Sequence, residues 1–261
     1  MLEDLNIKDV LNNFRPVSLK ELDSVSLMVR KDRKYLFEVS KLVTVLESVK
    51  DQYFILEIDG VRDQLYTTTY FDTPALDLYL MHHRGKLNRE KIRLRRYNSD
   101  GASFLEIKRK TNFGFTNKSR VPVDTEAGLV LNEEESFLKK LTTYNGYELI
   151  TSLNNEFHRI TLVNFESKER VTLDFGVRLK KPEGENWIHL NGICIAEIKR
   201  SGSFYRSPFA KCLKENRIYP MRFSKYCYGI ARLFTNVPIN RFKEKFLKVD
   251  KLNKLSFSKT S

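Results

Sequence analysis

From residue 91 onward the chain alternates polar and apolar positions. In KIRLRRY, Lys91, Arg93 and Arg95 fall on one face of a strand and Ile92 and Leu94 on the other. FLEIKRK repeats the pattern, with Glu106, Lys108 and Lys110 opposed to Leu105 and Ile107. Asn98-Ser99-Asp100-Gly101 between them predicts a tight turn, so the two runs form a hairpin. A third run, ERVTLDFGVRL, sets Arg170, Thr172, Asp174 and Arg178 against Val171, Leu173, Phe175 and Val177. Further strands are predicted at 26–37, 65–71, 118–123, 157–165 and 192–199. Helices are predicted over 1–14, over 41–50 with Ser40 as its cap, over 133–143 and over 223–234, and Ser207-Pro208 reads as the N-cap and first residue of another. Beyond Pro238 lysines alternate with apolar residues, and the closing KLSFSKTS has the composition of a frayed tail. No repeat and no Pro/Gly/Ser linker divides the middle. The pattern predicts an α+β chain: a helix and connection at 1–25, one domain of antiparallel strands with outer helices at 26–236, and a basic C-terminal helix or tail at 237–261.

Charge sharpens this picture. Twelve Lys or Arg and three acids lie between Arg84 and Arg120, nine of the thirteen net positive charges in the 261-residue chain. Like charges facing each other across a hairpin destabilise it unless an anion sits between them. Polyanions are therefore the natural partners: nucleic acid, anionic membrane or phosphate-rich small molecules. Cys194, Cys212 and Cys227 are odd in number and lack CxxC spacing, so neither a disulfide framework nor a zinc site is indicated, and a reducing cytoplasm fits best. No run approaches the ~20 apolar residues of a membrane span. With no Walker loop and no GxGxxG, nucleotide phosphates would have to be held by side-chain cations.

In an ordinary small barrel the apolar face points inward. Here several strands carry a polar face too basic to be merely solvated, and an inverted arrangement resolves this: polar side chains line a bore while apolar faces meet outer helices. The competing reading is a solvated sheet that faces nucleic acid. A single-strand binder, however, interleaves aromatic rings among its cations, and these strands place Phe and Leu on the opposite face. His82, His83, His158 and His189 lack metal-ligand spacing, and Asp72, in the turn Asp72-Thr73-Pro74, reads as a helix cap.

Taken together, RKDRKYLF at 30–37, TTTYFDTPALDLY at 67–79, HRGKLNREKIRLRRY at 83–97, FLEIKRKTN at 104–112, NKSRVPV at 117–123, AEIKRSG at 196–202 and RFSKYCYG at 222–229 resemble the VTC domain. That family is the polyphosphate polymerase branch of the CYTH-like triphosphate tunnel metalloenzymes, and the resemblance spans roughly residues 26 to 234. It implies an eight-stranded antiparallel β-barrel tunnel with a polar, basic interior and helices packed outside. It also implies transfer of the terminal phosphoryl group of ATP to a growing polyphosphate chain with release of ADP. The enzymatic alternative is a metal-dependent triphosphatase, and the non-catalytic one a polyphosphate sensor. By position, Lys34, Arg93, Arg95, Lys110, Arg159, Arg170 and Lys225 match the family's catalytic cations, and Lys118 and Arg120 match the basic pair of the next strand. Lys91, Lys108 and Lys199 join them as substrate-binding candidates on the same strand faces. A divalent metal, Mn²⁺ or Mg²⁺, is implied, with Glu197 as the matching carboxylate and Glu106 as a second candidate. Relatives write the first strand with acids and a lysine at alternate positions; here Arg30, Asp32 and Lys34 stand there, so the first acid is replaced by a base. Family members often work with membrane proteins at the cytoplasmic face, where the segment after Pro238 would dock; the plainer reading of that segment is a solvated tail.

Overall fold

The computed structural model describes residues 7–24, 31–99, 101–112, 116–124 and 134–255. The first part of the chain forms α1 (Ile7–Asn12), β1 (Arg15–Val17), α2 (Leu19–Ser24), β2 (Lys31–Glu38), α3 (Leu42–Glu47), β3 (Phe54–Leu56), β4 (Asp63–Asp72) and α4 (Asp77–Arg84). The middle forms β5 (Arg89–Tyr97), β6 (Ser103–Lys110), β7 (Thr116–Pro122), α5 (Glu135–Leu141), β8 (Ile150–Asn164) and β9 (Glu169–Lys180). The last part forms β10 (Ile188–Leu190), β11 (Ile193–Arg200), α6 (Pro208–Glu215), α7 (Lys225–Leu233) and α8 (Lys243–Leu255). The start of the predicted 26–37 strand, with Arg30, and the end of the predicted tail lie outside the described residues.

Eight strands pair in one antiparallel path, β2-β11-β9-β8-β4-β5-β6-β7, with short β1, β3 and β10 beside it. The predicted hairpin is β5–β6, closed by Tyr97 N–H donating to Ala102 O at 2.8 Å across a turn in which Gly101 takes φ +70°. The sheet curls. Lys108 Nζ on β6 reaches within 4.0 Å of Asp32 Oδ2 on β2, so strands near opposite ends of the path meet across the interior.

Alternation decides which side each residue takes. On the outer face Tyr35 and Phe37 of β2, Cys194, Ala196 and Ile198 of β11, and Val171, Leu173 and Phe175 of β9 pack with α1, α3 and α6. α3 belongs there because Leu42, Val45 and Leu46 recur at helical spacing and are wholly buried. A second outer cluster joins Ile92, Leu105 and Ile107 to Leu78 of α4 and Leu138 of α5. Each fully buried aliphatic or aromatic side chain contributes about 1.5–3 kcal/mol, and these layers hold the sheet in its curl. The inverted arrangement read from the sequence is the one observed.

α7 is different, because it packs against the inner face. Tyr226, Cys227 and Ile230 join the inward-pointing Leu36, Ile195, Leu153, Phe157, Tyr66 and Tyr70 in one cluster that fills one end of the interior. The contact is close: a Cβ added at Gly229 would lie 2.6 Å from Leu153 Cδ2. Phe246 and Val249 of α8 are buried in the same cluster, so the segment after Pro238 is a packed helix over its described length rather than the solvated tail read from its lysines. Among the described residues no helix is long and apolar enough to cross a membrane.

Candidate functional site

Three carboxylates, Glu106 and Asp174 buried and Glu197 half-buried, organise the interior. Asp174 on β9 accepts two hydrogen bonds from Arg159 on β8, Nε–H at 2.6 Å and Nη2–H at 2.7 Å, and one from Lys225 at the start of α7. Glu197 on β11 lies 2.7 Å from Lys34 Nζ and 3.4 Å from Lys199 Nζ. Glu106 on β6, 1% exposed, faces Arg93 at 2.7 Å, Lys118 at 2.5 Å and Arg95 at 3.9 Å. The sheet register makes these meetings unavoidable: Arg159 lies opposite Asp174, Glu197 opposite Lys34, and Arg93 opposite Glu106.

Every carboxylate therefore serves more than one cation. Burial alone would raise the Glu106 carboxyl, but Arg93, Arg95 and Lys118 outweigh it and hold it below its ordinary value. Asp174 is held down in the same way by Arg159 and Lys225, and Glu197 by Lys34, Lys199 and Lys108. The lysines show the opposite strain. Burial, aided by Arg159 and Lys34, outweighs Asp174 and lowers Lys225 to about 7. Lys108 falls to about 8 through burial with Lys34 and Lys91 nearby, and Lys118 falls to about 8 through burial with Arg93 and Arg95 nearby. Crowding of cations with few counter-charges favours the neutral form of each lysine.

Of the residues selected from the sequence, Lys34, Arg93, Arg95, Lys108, Lys118, Arg159, Lys199 and Lys225 come together in these networks. Lys91 stands beside them and donates to Ser224 Oγ at 2.8 Å. Ser224 in turn caps α7 by accepting from Cys227 N–H, so a bore lysine and the filling helix share one hydroxyl. Arg170 is opposite Lys199 in the register. Lys110 pairs in register with Arg89, and burial together with Arg89 and Arg222 lowers it. Arg120, on the exposed strand β7, covers the Phe104 ring at 4.6 Å. Asp72 is the predicted cap: it accepts from Thr73, Leu78 and Tyr79 N–H and from the Tyr226 hydroxyl, tying α4 to α7. Ser40 is not the cap of α3; its hydroxyl turns to Glu38 at 3.4 Å.

Aromatic rings do share the inner face, contrary to the expectation that they lie opposite the cations. Tyr66 stacks on Phe157 with centroids 5.4 Å apart, and Arg159 Cζ stands 5.1 Å from each ring. These rings are buried against α7. Sequence reading also passed over Thr68 and Asn155, uncharged residues that β4 and β8 place on the inner face beside Arg95.

Among the described residues no group of three or more His, Cys, Asp or Glu stands together as an ion site. Each interior carboxylate is already matched with cations, so the residues do not fit a resident dication.

Residues 29–234 match the VTC domain. The chain belongs to the VTC domain family. The VTC fold extends to solved structures of low sequence identity. A candidate adenylate cyclase from Bacillus halodurans superposes with a TM-score of 0.53 at 14% identity, over 80% of this chain and 100% of that one. A candidate adenylyl cyclase from Hippeastrum, described as revealing a dominant triphosphatase activity, superposes with a TM-score of 0.50 at 14% identity, over 80% and 98%. A comparison with curated proteins gave no match.

Proposed function

We propose that this VTC domain is an ATP-polyphosphate phosphotransferase, which moves the γ-phosphoryl group of ATP onto a polyphosphate chain held in its basic interior and releases ADP. The observation that carries the reading is the ring of Lys34, Arg93, Arg95, Lys118, Arg159, Lys199 and Lys225 converging on three carboxylates inside one curled sheet. Phosphoryl transfer asks a protein chiefly for in-line positioning and for charge stabilisation on the equatorial oxygens. Arginine supplies paired donors to neighbouring oxygens, and lysine supplies mobile point charges. The carboxylates hold these cations apart until phosphate displaces them.

Activating a water molecule is helped by a general base, and in the ligand-free protein Glu106, Asp174 and Glu197 are all held below their ordinary values by the cations around them. A phosphate oxygen is already ionised and attacks without one. Where the nucleotide carries Mg²⁺ or Mn²⁺, Glu197 would be the residue to hold the ion, which would supply charge neutralisation of the phosphates, with Lys34 and Lys199 free to contact the phosphate oxygens.

Purified protein incubated with ATP and Mg²⁺ or Mn²⁺ tests this, with ADP, free phosphate and polyphosphate resolved separately. ADP appearing with polyphosphate is expected. ADP matched by free phosphate would make the protein a hydrolase, and binding without turnover would make it a sensor.

A further inference from the structure

Three inner-face residues on neighbouring strands form a row with unmet hydrogen-bonding capacity. Thr68 on β4 is opposite Arg95 on β5 and opposite Asn155 on β8, and directly opposed residues of antiparallel strands project from the same face. Adjacent strands are about 4.8 Å apart, so the three side chains stand side by side. All are buried: Asn155 is 0% exposed, Thr68 1% and Arg95 7%. Yet both side-chain polar atoms of Asn155, the Thr68 hydroxyl and Arg95 Nε have no hydrogen-bond partner. Leaving a buried polar group unmade costs about 1–3 kcal/mol, and a whole row of them is not retained for packing.

The row is also walled in. Tyr70 opposite Leu153 flanks it on one side and Tyr66 opposite Phe157 on the other, all in the cluster that α7 fills. We infer that Arg95, Thr68 and Asn155 form a subsite for the terminal phosphoryl group of a linear oligophosphate. Arg95 Nε–H, the Thr68 hydroxyl and the Asn155 amide supply three donors for the three outer oxygens that only a chain end presents. Two of the donors are uncharged, unlike the cations that hold the interior phosphates through the carboxylate-matched networks. The inference rests on the phosphate reading of the bore.

The experiment compares linear tripolyphosphate, which has ends, with cyclic trimetaphosphate, which has none, by calorimetric titration in EDTA. Wild type, Thr68→Val and Asn155→Leu are measured, with thermal unfolding of each. Each variant is expected to lose about ten-fold or more in tripolyphosphate affinity, as for a lost hydrogen bond to a charged group, while trimetaphosphate affinity and melting temperature hold or rise. Unchanged tripolyphosphate affinity would mean that the row holds only water, and equal losses for both anions would mean general disturbance of the bore; either overturns the inference. Wild type that binds neither anion overturns the phosphate reading and the subsite with it. ATP, titrated alongside, separates the two sources of a chain end. Loss of ATP affinity in the variants assigns the row to the donor's γ-phosphate, and retained ATP affinity assigns it to the acceptor.

Discussion

At the residue scale, the interior is asymmetric because cations outnumber acids around each carboxylate. Removing Arg93 leaves Glu106 matched by Lys118 and Arg95; removing the charge of Glu106 leaves Arg93, Arg95 and Lys118 facing one another in a buried space. Stripping a buried network of its counter-charge costs about 3–5 kcal/mol. Glu106→Gln is therefore expected to unfold well below wild type without ligand and to recover with tripolyphosphate, while Arg93→Ala keeps near-normal stability and loses activity. A thermal melt with the reverse order would show that Arg93, not Glu106, is the structural member. Glu197→Gln should raise the Mg²⁺ or Mn²⁺ concentration giving half-maximal ADP production while leaving metal-free tripolyphosphate binding in place; an unchanged metal requirement would leave Glu197 as a lysine partner alone. Most of the charged residues of the site were legible in the sequence, since a period of two sorts most strands and only an anion or a solvent face explains a row of cations; β9 departs from it at Gly176, so Val177, read on the face of Phe175, lies in the inner cluster instead. Thr68 and Asn155 were not, because an uncharged polar residue in a strand reads as solvated until its register neighbours are known.

At the element scale, α7 is the part that joins fold and site. It brings Lys225 to Asp174, bonds Tyr226 to the α4 cap Asp72, and seats Gly229 against Leu153. Gly229→Ala gains about 1 kcal/mol of helix propensity, but the added methyl would overlap a fully buried leucine, and overpacking costs about 1–3 kcal/mol. The expected result is equal or lower melting temperature together with several-fold loss of turnover as Lys225 is pushed from Asp174; full activity with higher stability would show that α7 can shift without consequence. The sequence marked this helix but not its position, since an amphipathic pattern says that one face is buried and not against which side of a sheet. α8 was obscured differently. Phe242, Phe246, Val249 and Leu252 recur at helical spacing, but the lysines between them read as a tail. β8 begins at Ile150, well before the predicted 157, because in ITSLNNE Leu153 alone is a buried apolar residue, too little to show an alternation, and its pairing with β4 is what makes it a strand.

For the whole molecule, the mutual crowding of lysines predicts an unusual pH response. Folded Lys108 and Lys118 titrate at about 8 and Lys225 at about 7, whereas unfolded lysine titrates near 10.4. Between about pH 8 and pH 10 the unfolded chain holds more protons, so these groups make the ligand-free protein more stable as pH rises. Melting temperatures across that window check it; a steady fall would mean that the lysines are not strained. Bound polyphosphate restores their charge, so titration at pH 8 in two buffers of different ionisation enthalpy should reveal proton uptake. Single-stranded RNA should fail to displace tripolyphosphate at physiological salt, because the rings that share the cationic face are buried. The end filled by α7 carries a kinetic consequence. Where substrate and product pass through the same doorway and are gripped by the same cations, a lengthened chain competes with the nucleotide that lengthened it. Under the proposed transfer, synthesis in such a chamber would stall by product inhibition, and its pace would be set by whatever carries the finished polymer away.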